Sequence, residues 1–364
     1  MPLVRFRRGP AATRPTLEEG RPRLDTDFPY GLFVGARNGN MLVAHKSTRV
    51  RHVSPDFAGY PRPYYATIMA GVNDADAGDV VLVYPGIYNE KVVAKEGVAI
   101  VGMDRDKCII EYQFNPATDD KTDADFWAFK SDVEGAPIRN MTIRTTDPTD
   151  SFEWANGGFA TILGSNIVAE NVRIQSTFIR CISAAAGDIV RVIGDVSNSF
   201  EDTNGGDVAV RAAGAGCSIW IEGNVSSSAD TAIHCEYGTT TIIGDVTSTA
   251  GKGIIYTSME GDLCVTGNVT SSAAAAIICG ELPTIRLNHG TIKSTYNSSS
   301  GHAIGQASNV ILNNVILLAT HASAKCVSGG GNIVVLGTAV ANRDKASNMT
   351  VRVGTLIVDP DYVS

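Results

Sequence analysis

The segments VIGDVSNS at 192–199, IEGNVSSS at 221–228, IIGDVTST at 242–249 and VTGNVTSS at 265–272 repeat one short pattern. Each places a glycine and then Asp or Asn before a valine and a run of small polar residues. Aligned on the valine and continued through NHGTIKST at 288–295 and LNNVILLA at 312–319, the copies are 29, 21, 23, 23 and 23 residues apart. Short runs with alternating apolar positions and Gly, Ser, Asn or Asp turns are typical of strands. The period therefore predicts an all-β body made of repeated coils.

A second repeated unit, made of small and β-branched residues, lies between these copies. Examples are RCISAAAG at 180–187, AVRAAGAG at 209–216, AIHCEYGT at 232–239 and AIICGELP at 276–283. A leucine-rich repeat would need fixed leucines, and a propeller blade would need a period near 40. A period of about 22 to 24 residues with small interior residues and no helical spacing is what one coil of a right-handed parallel β-helix requires, and such coils stack roughly 4.8 Å apart. Residues 62–357 would then form about a dozen coils and a rod roughly 60 Å long.

Stacked coils place equivalent residues in ladders along the axis, and two such ladders are expected. Cysteines of the second unit would stack as interior thiols: Cys181, Cys235, Cys279 and Cys326. Asx residues of the first unit would bond neighbouring backbone at the turn: Asp195, Asn224, Asp245, Asn268 and Asn314. A column of active-site residues is the alternative interpretation of the Asx ladder.

The composition excludes several classes of protein. The chain has 364 residues, of which 44% are hydrophobic and 37 are glycine, and no apolar run is long enough for a membrane span. The amino terminus has arginines but no apolar stretch behind them, so no secretory signal is indicated. Seven cysteines without a C-x-x-C pair argue against a disulfide scaffold and a zinc knuckle. We expect reduced thiols, no cofactor and no metal.

The charge is divided unevenly along the chain. Residues 1–52 carry ten Lys or Arg and four Asp or Glu, a balance of +6, so the remaining 312 residues carry −14. Eight of the fourteen prolines fall by Pro63, and HVSPDFAGYPRPYY from His52 resembles a linker in composition. We therefore expect two domains, at 1–54 and 55–364. The basic part lacks the Lys clusters and aromatic platforms that favour nucleic-acid binding.

The stretch TIMAGVNDADAGDVVLVYPGIYNEKVVAKEGVAIVGMDRDKCII, residues 67–110, resembles the opening coils of pectin-lyase-like and pectinesterase-like β-helices. The resemblance implies the scaffold, with a short capping helix near residues 65–75. The catalytic patterns of pectinesterases and pectate lyases are not found, so no catalytic residue is carried over. The fold alone supports many activities.

The stretch VRFRRGPAATRPTLEEGRPRLDTDFPYGLFVGARNGNMLVAHKS, residues 4–47, resembles the module that opens many tailed-phage fibre, spike and head-fibre proteins, of the major-tropism-determinant type. In that family the module is a small β-domain that trimerises and attaches the protein to the virion. The resemblance implies an attachment role for matching residues: Arg7, Arg8, Gly9, Glu19, Gly20, Asp25, Asp27 and Gly35. Ala36 stands where the family has an aspartate. A generic basic, proline-rich extension is the alternative.

Two segments that depart from the repeat combine aromatic rings with carboxylates, a common means of gripping sugars. They are the insertion from Gln113 and the loop from Thr145. The candidate glycan contacts are Trp127, Phe129, Trp154, Asp123 and Asp125. The alternatives are that both segments cover a flank of the rod or pack against a neighbouring subunit, or that they bind a cation, although the ligand spacing matches no EF-hand loop.

Three glutamates follow the second unit in consecutive coils: Glu236, Glu260 and Glu281. Glycoside hydrolysis by paired carboxylates needs separations of roughly 5 to 9 Å, which neighbouring coils can supply. Solvated surface charge is the simpler interpretation of such a column. No histidine has a neighbour at ligand spacing.

The resemblance of residues 4–47, taken with the predicted β-helix, implies a homotrimeric virion-surface appendage, assembled in the host cytoplasm: a tail fibre, a tailspike or a head decoration. Its partners would be other virion proteins and host surface polysaccharide, without nucleic acid or membrane insertion. The alternative is a polysaccharide-degrading tailspike enzyme, either a lyase or a glycoside hydrolase.

Overall fold

The computed structural model describes most of the chain. The described residues are 22–24, 31–36, 39–45, 49–115, 117, 119, 126–147, 160–177, 179–199, 208–228, 230–257, 261–280, 284–345, 347 and 349–360. For residues before 49 only the backbone elements are described.

The first three strands form a small antiparallel sheet of their own. They are β1 (Pro22–Leu24), β2 (Gly31–Ala36) and β3 (Gly39–His45). Strand β2 pairs with both neighbours, and Gly35 lies opposite Asn40. These three strands are separate from the sheet formed by the later strands.

The other thirty strands form one sheet with parallel pairing throughout. Its first half comprises β4 (Val50–Val53), β5 (Tyr64–Tyr65), β6 (Val80–Val83), β7 (Gly86–Asn89), β8 (Val92–Val93), β9 (Ala99–Gly102), β10 (Cys108–Gln113), β11 (Phe129–Lys130), β12 (Ile138–Arg139), β13 (Thr142–Thr146), β14 (Ala160–Leu163), β15 (Asn166–Ser176), β16 (Arg180–Ala184), β17 (Ile189–Asn198) and β18 (Val208–Ala212). The second half comprises β19 (Ser218–Glu222), β20 (Val225–Ser227), β21 (Thr231–Cys235), β22 (Thr239–Ile243), β23 (Val246–Ser248), β24 (Ile254–Tyr256), β25 (Asp262–Thr266), β26 (Val269–Ser271), β27 (Ile277–Cys279), β28 (Thr284–Ser294), β29 (Ile304–Ala319), β30 (Val327–Val335), β31 (Ala339–Ala341), β32 (Met349–Val353) and β33 (Leu356–Val358).

Strands of successive coils stack into three faces. Face A runs β8, β11, β14, β16, β18, β21, β24, β27 and the start of β29. Face B runs β4, β6, β9, β12, β15, β17, β19, β22, β25, β28, β29, β30 and β32. Face C runs β7, β10, β13, the ends of β15 and β17, β20, β23, β26, the ends of β28 and β29, β31 and β33. The predicted all-β, right-handed parallel β-helix is confirmed.

The repeated first unit forms the corner between faces B and C. Its valines are stacked and buried on face C, with register Val196, Val225, Val246, Val269 and Ile292. The glycine before each Asx residue lies against the carbonyl of the coil below, at positive φ; a Cβ on Gly223 would overlap the carbonyl oxygen of Gly194. The small glycine therefore allows the coils to approach at the corner.

The Asx residues of this corner bond the next coil, as the turn-ladder interpretation predicts. Each side-chain oxygen accepts from the backbone N–H one coil further on: Asp195 from Asn224 at 3.3 Å, Asn224 from Asp245 at 3.1 Å, Asp245 from Asn268 and Asn268 from Thr291, both at 2.9 Å. These bonds satisfy donors at the turn, where the strand ladder is interrupted.

The last step of the sequence alignment is wrong by two residues. Ile292 pairs with Leu317, and Val315 pairs with Gly290. Residues 295–303 connect β28 and β29 and make this coil longer than the preceding ones, so a constant step of 23 misplaces the register there. The side-chain oxygen of Asn314 still belongs to the ladder, because it accepts from Thr338 N–H at 3.0 Å.

The cysteines of the second unit are buried, but they do not form one column. Cys235 pairs with Tyr256, which pairs with Cys279, so these two thiols share a column. Cys326 precedes Val327, whose column passes through Ile304 and Ile277, two residues before Cys279. The rung between Cys235 and Cys279 is occupied by the fully buried ring of Tyr256, so burial of the thiols is confirmed and a continuous thiol stack is wrong.

A short helix covers the amino-terminal end of the rod. Helix α1 (Ile68–Asp74) lies where the capping helix is expected, with Thr67 as its N-cap and the carboxylate of Glu90 accepting from Ile68 and Met69 N–H at 2.7 and 3.0 Å. Arg51 is 6% exposed and pairs with Asp74 at 2.7 Å. Strand β4 already belongs to the parallel sheet, so the rod begins at Val50, a few residues before the expected boundary at residue 55.

Replacing Gly223 with alanine should destabilise the rod strongly. The φ of 151° and the overlap with the Gly194 carbonyl should together cost about 3 kcal/mol in the free energy of unfolding. Gly216→Ala is the matched control, since Gly216 also has positive φ but open space around it, and it should cost about 1–2 kcal/mol. Urea unfolding midpoints measure both; equal losses would contradict the corner packing.

The buried thiols should be nearly inert to a thiol-specific disulfide reagent at pH 8. Burial raises the pKa of Cys235 and of Cys326 to about 12, so almost no thiolate forms at pH 8. Cys264 is only half-buried and should supply the fast phase of labelling, which Cys264→Ser should remove. A fast phase that persists in this variant would contradict the assignment.

Candidate functional site

Face A carries a charged cleft of about 260 Å³ between β16 and β24. Its polar lining is Arg180, Arg211, Asp230, Thr231, His234, Glu236 and Lys252. Arg211 of β18 pairs in register with His234 of β21, which pairs with Ile255 of β24. The cleft is therefore built by outward-facing side chains of consecutive rungs, held by the rung-to-rung ladder.

An arginine–glutamate pair forms the centre of the cleft. Arg211 donates from Nε to Glu236 Oε1 at 2.8 Å, and its Nη2 lies 2.6 Å from the same oxygen. His234 Nδ1 is 3.8 Å from this oxygen. All three side chains are about 30% exposed, so the pair is open to solvent on the outer side.

The cleft has more cationic than anionic groups. Arg180, only 5% exposed, and Lys252 add to Arg211, while Asp230 and Glu236 are the carboxylates. Burial lowers the pKa of His234, opposed by nearby Glu236, so this imidazole is neutral at pH 7. Burial also raises the pKa of Asp230, opposed by Lys252. This part of an otherwise acidic rod is therefore suited to an anionic ligand.

The same groups offer a limited acid–base chemistry. A half-buried carboxyl with raised pKa, Asp230, is the environment of a general acid, and Glu236 is a second carboxylate nearby. Glu236, however, is held by Arg211 in a close charge-assisted pair. Ion recognition therefore fits the geometry more closely than proton transfer by Glu236.

The structure brings together only part of the predicted site. Glu236 lies in the cleft, whereas Glu260 and Glu281 lie outside the described residues, as do Asp123, Asp125 and Trp154. The attachment residues Arg7, Arg8, Gly9, Glu19, Gly20, Asp25 and Asp27 also lie outside them, and Gly35 is described only as a backbone position of β2.

Two predicted glycan contacts are corrected by their burial. Phe129 is fully buried, because its neighbours in register on face A, Val92 and Ile162, are core residues. Trp127 is 7% exposed and lies under Lys91, whose Nζ is 5.6 Å from the ring centroid. Neither ring is available to a sugar.

Sequence reasoning missed the cations of the cleft. The alignment of AVRAAGAG with AIHCEYGT already places Arg211 beside His234, and the register confirms it. Arg180 and Lys252 lie at the edges of their units, where the pattern gives no orientation. Within the described part of the chain, no group of three His, Cys, Asp or Glu could hold a metal ion. No helix of that part is long and apolar enough to cross a membrane.

Comparisons with known proteins give weak structural similarities. No protein-family model and no curated protein matches this chain. Pectin methylesterase PemA from Erwinia chrysanthemi is similar over 84% of this chain and 94% of its own, at 11% sequence identity and a TM-score of 0.35. Pectin methylesterase from carrot is similar over 86% of this chain and 90% of its own, at 12% identity and a TM-score of 0.31. At these scores the fold assignment stands on the strand pairing of this chain itself.

Proposed function

We propose that this chain is a surface appendage of a tailed-phage virion, with the amino-terminal module attaching it as a trimer and the β-helix contacting host glycans. The resemblance of residues 4–47 supports the attachment role, and the separate antiparallel sheet of β1 to β3 is compatible with it. The contrast of +6 and −14 between the two parts suits a module that docks to an acidic surface while the rod stays apart.

The observation that carries the adhesive role is the cationic excess of the face A cleft. Three fixed cations, Arg180, Arg211 and Lys252, meet two carboxylates on a rod whose overall balance is strongly negative. Arginine pairs well with carboxylates because its donors form a planar fork. Glycans that bear carboxylates, such as uronates or sialates, are the ligands this cleft would select.

A polysaccharide-degrading enzyme is the second candidate, and the cleft supplies one observation for it. Asp230, with its raised pKa, would act as the acid, and Glu236 as the second carboxylate. The Arg211–Glu236 pair makes this the weaker proposal, since a nucleophile or base must be free to reach the sugar.

Arg211→Ala should weaken binding to polygalacturonate, alginate or polysialic acid by about tenfold or more, because a hydrogen bond to a charged group contributes about 1.5–3 kcal/mol. Arg286→Ala is the matched control: Arg286 lies on face B, half-exposed, beside Asp262. Calorimetry on the full chain measures both variants. Equal losses in the two variants would contradict a specific role for the cleft.

Glu236→Gln separates adhesion from catalysis. The amide keeps the shape of the side chain but removes a negative charge, so an adhesive cleft should bind acidic glycans as tightly as before or more tightly. An enzyme should lose cleavage of the same polysaccharide, measured by reducing ends or by unsaturated product. Measurable cleavage by the unmodified chain that disappears in this variant would establish the enzyme instead.

Lowering the pH should tighten acidic-glycan binding while it destabilises the chain. As the pH falls through the lowered pKa of His234, the imidazole gains charge and adds to the cationic excess. In the unfolded chain His234 has its ordinary pKa near 6.5, whereas in the folded chain the pKa is lower. The free energy of unfolding therefore decreases as the pH falls from about 6.5 to the pKa of the folded chain. His234→Asn should reduce both effects, as measured by binding and urea unfolding from pH 7.5 to 5.

Antibodies against the rod should label intact virions in electron micrographs, at the tail or on the head. Removal of residues 1–48 should abolish the label, because that segment would attach the rod. Virions that carry no copy of the chain would overturn the appendage role, whatever the cleft binds.

A further inference from the structure

A second groove, of about 330 Å³, lies at the corner between faces B and C, away from the cleft of face A. Its polar lining is Arg105, Asn171, Asp195 and Glu222, and its apolar lining includes Ile193 and Ile243. Gly194 and Gly223 of the glycine corner also line it. We refer to it as the corner groove.

Arg105 is the unusual member of this groove. Its side chain is 4% exposed, yet its Nη2 has no hydrogen-bond partner. Its Nη1 is 3.7 Å from Asp195 and its Nε is 3.4 Å from Asp106, so both ion pairs are loose. A buried guanidinium N–H without an acceptor is costly, and a ligand oxygen would remove that cost.

An apolar platform adjoins the groove on face B. Trp220 is 42% exposed and lies on the same strand and face as Glu222, two residues away, or about 6.6 Å. Ile189 and Ile243, 56% and 37% exposed, lie one rung before and one rung after it, so the three side chains form a diagonal with steps of about 8 Å. These exposed side chains offer apolar surface beside the polar groups of the groove.

The charge of the corner groove is opposite in sign to that of the face A cleft. Arg105 is outnumbered by Asp195 and Glu222, so an anionic ligand is disfavoured. The groove instead offers an aromatic face, two carboxylate acceptors, an amide and a buried donor, which suits a ring with one apolar face and several hydroxyls.

We propose that the corner groove and Trp220 form a second glycan site, one that takes neutral pyranose units. A sugar face would pack on the indole of Trp220, hydroxyls would donate to Glu222 and Asp195, and a sugar oxygen would accept from Arg105. The assignment rests on the proposed function only in its premise that the rod contacts glycans; it requires neither a virion nor the face A cleft.

The test uses the full chain on an array of neutral oligosaccharides of glucose, galactose, mannose, rhamnose and N-acetylglucosamine, followed by titration of each hit. Trp220→Ala should weaken binding about tenfold, and Trp220→Phe should retain much of it because a smaller ring still packs. Glu222→Gln, on the exposed rim, should also weaken binding without affecting the fold. Tyr296→Ala, which removes an exposed ring elsewhere on the rod, is the matched control and should bind normally.

The outcomes separate this site from the proposed function. Binding of neutral sugars that is lost in Trp220→Ala and unaffected by Arg211→Ala would support the site, even if acidic glycans fail to bind. No binding to any neutral oligosaccharide, or equal binding by Trp220→Ala and the unmodified chain, would overturn it. Loss in Tyr296→Ala as well would also overturn it, since the effect would then not belong to the groove.

Discussion

Parallel hydrogen bonding from one rung to the next is the interaction on which the rest of this molecule depends. It stacks equivalent residues about 4.8 Å apart, so a residue tolerated in one coil must fit above and below its counterparts. The glycine and Asx corner follows from this constraint: glycine because the next carbonyl lies against it, and Asp or Asn because the turn leaves backbone donors to be satisfied. The mostly aliphatic interior follows as well, since the stacked strands of successive coils bury one face of each strand.

The same ladder creates both candidate sites, although they differ in chemistry. On face A it aligns Arg211 with His234 and gathers fixed cations above an acidic rod. On face B it places Trp220 beside Arg191 and Thr241 on adjacent rungs and leaves the ring exposed. A flat outer surface made of repeated positions thus acquires distinct sites wherever a few coils depart from the small-residue pattern.

The fold could be predicted from the sequence because glycine, Asp or Asn, and valine recur at the same position of each coil and so reveal the period. In the alignment of the first unit only the last step is wrong: Ile292 pairs with Leu317 and not with Val315, because a longer turn breaks the constant step. The site was harder to predict. Phe129 and Trp127 are close to several aspartates in the sequence, but this closeness does not show whether a ring faces the interior of the coil or the solvent. Both rings are buried. Trp220 alternates with buried Ile219 and Ile221, so the alternating pattern SIWIE at 218–222 indicates that its side chain points outward. Arg180 and Lys252 reach the cleft from outside the alternating part of their units.

Because the residues of the face A cleft lie in register on consecutive coils, inserting or deleting a whole coil changes the cleft without breaking the strand pairing. Deleting one complete coil would leave a continuous β-helix, because every remaining rung would still find a partner of the same shape. The same deletion would remove Arg211, or His234 with Glu236, and dismantle the cleft. Duplication or deletion of coils could therefore create or remove a ligand site. The free energy of unfolding would change only by the contribution of one coil and its contact with the next.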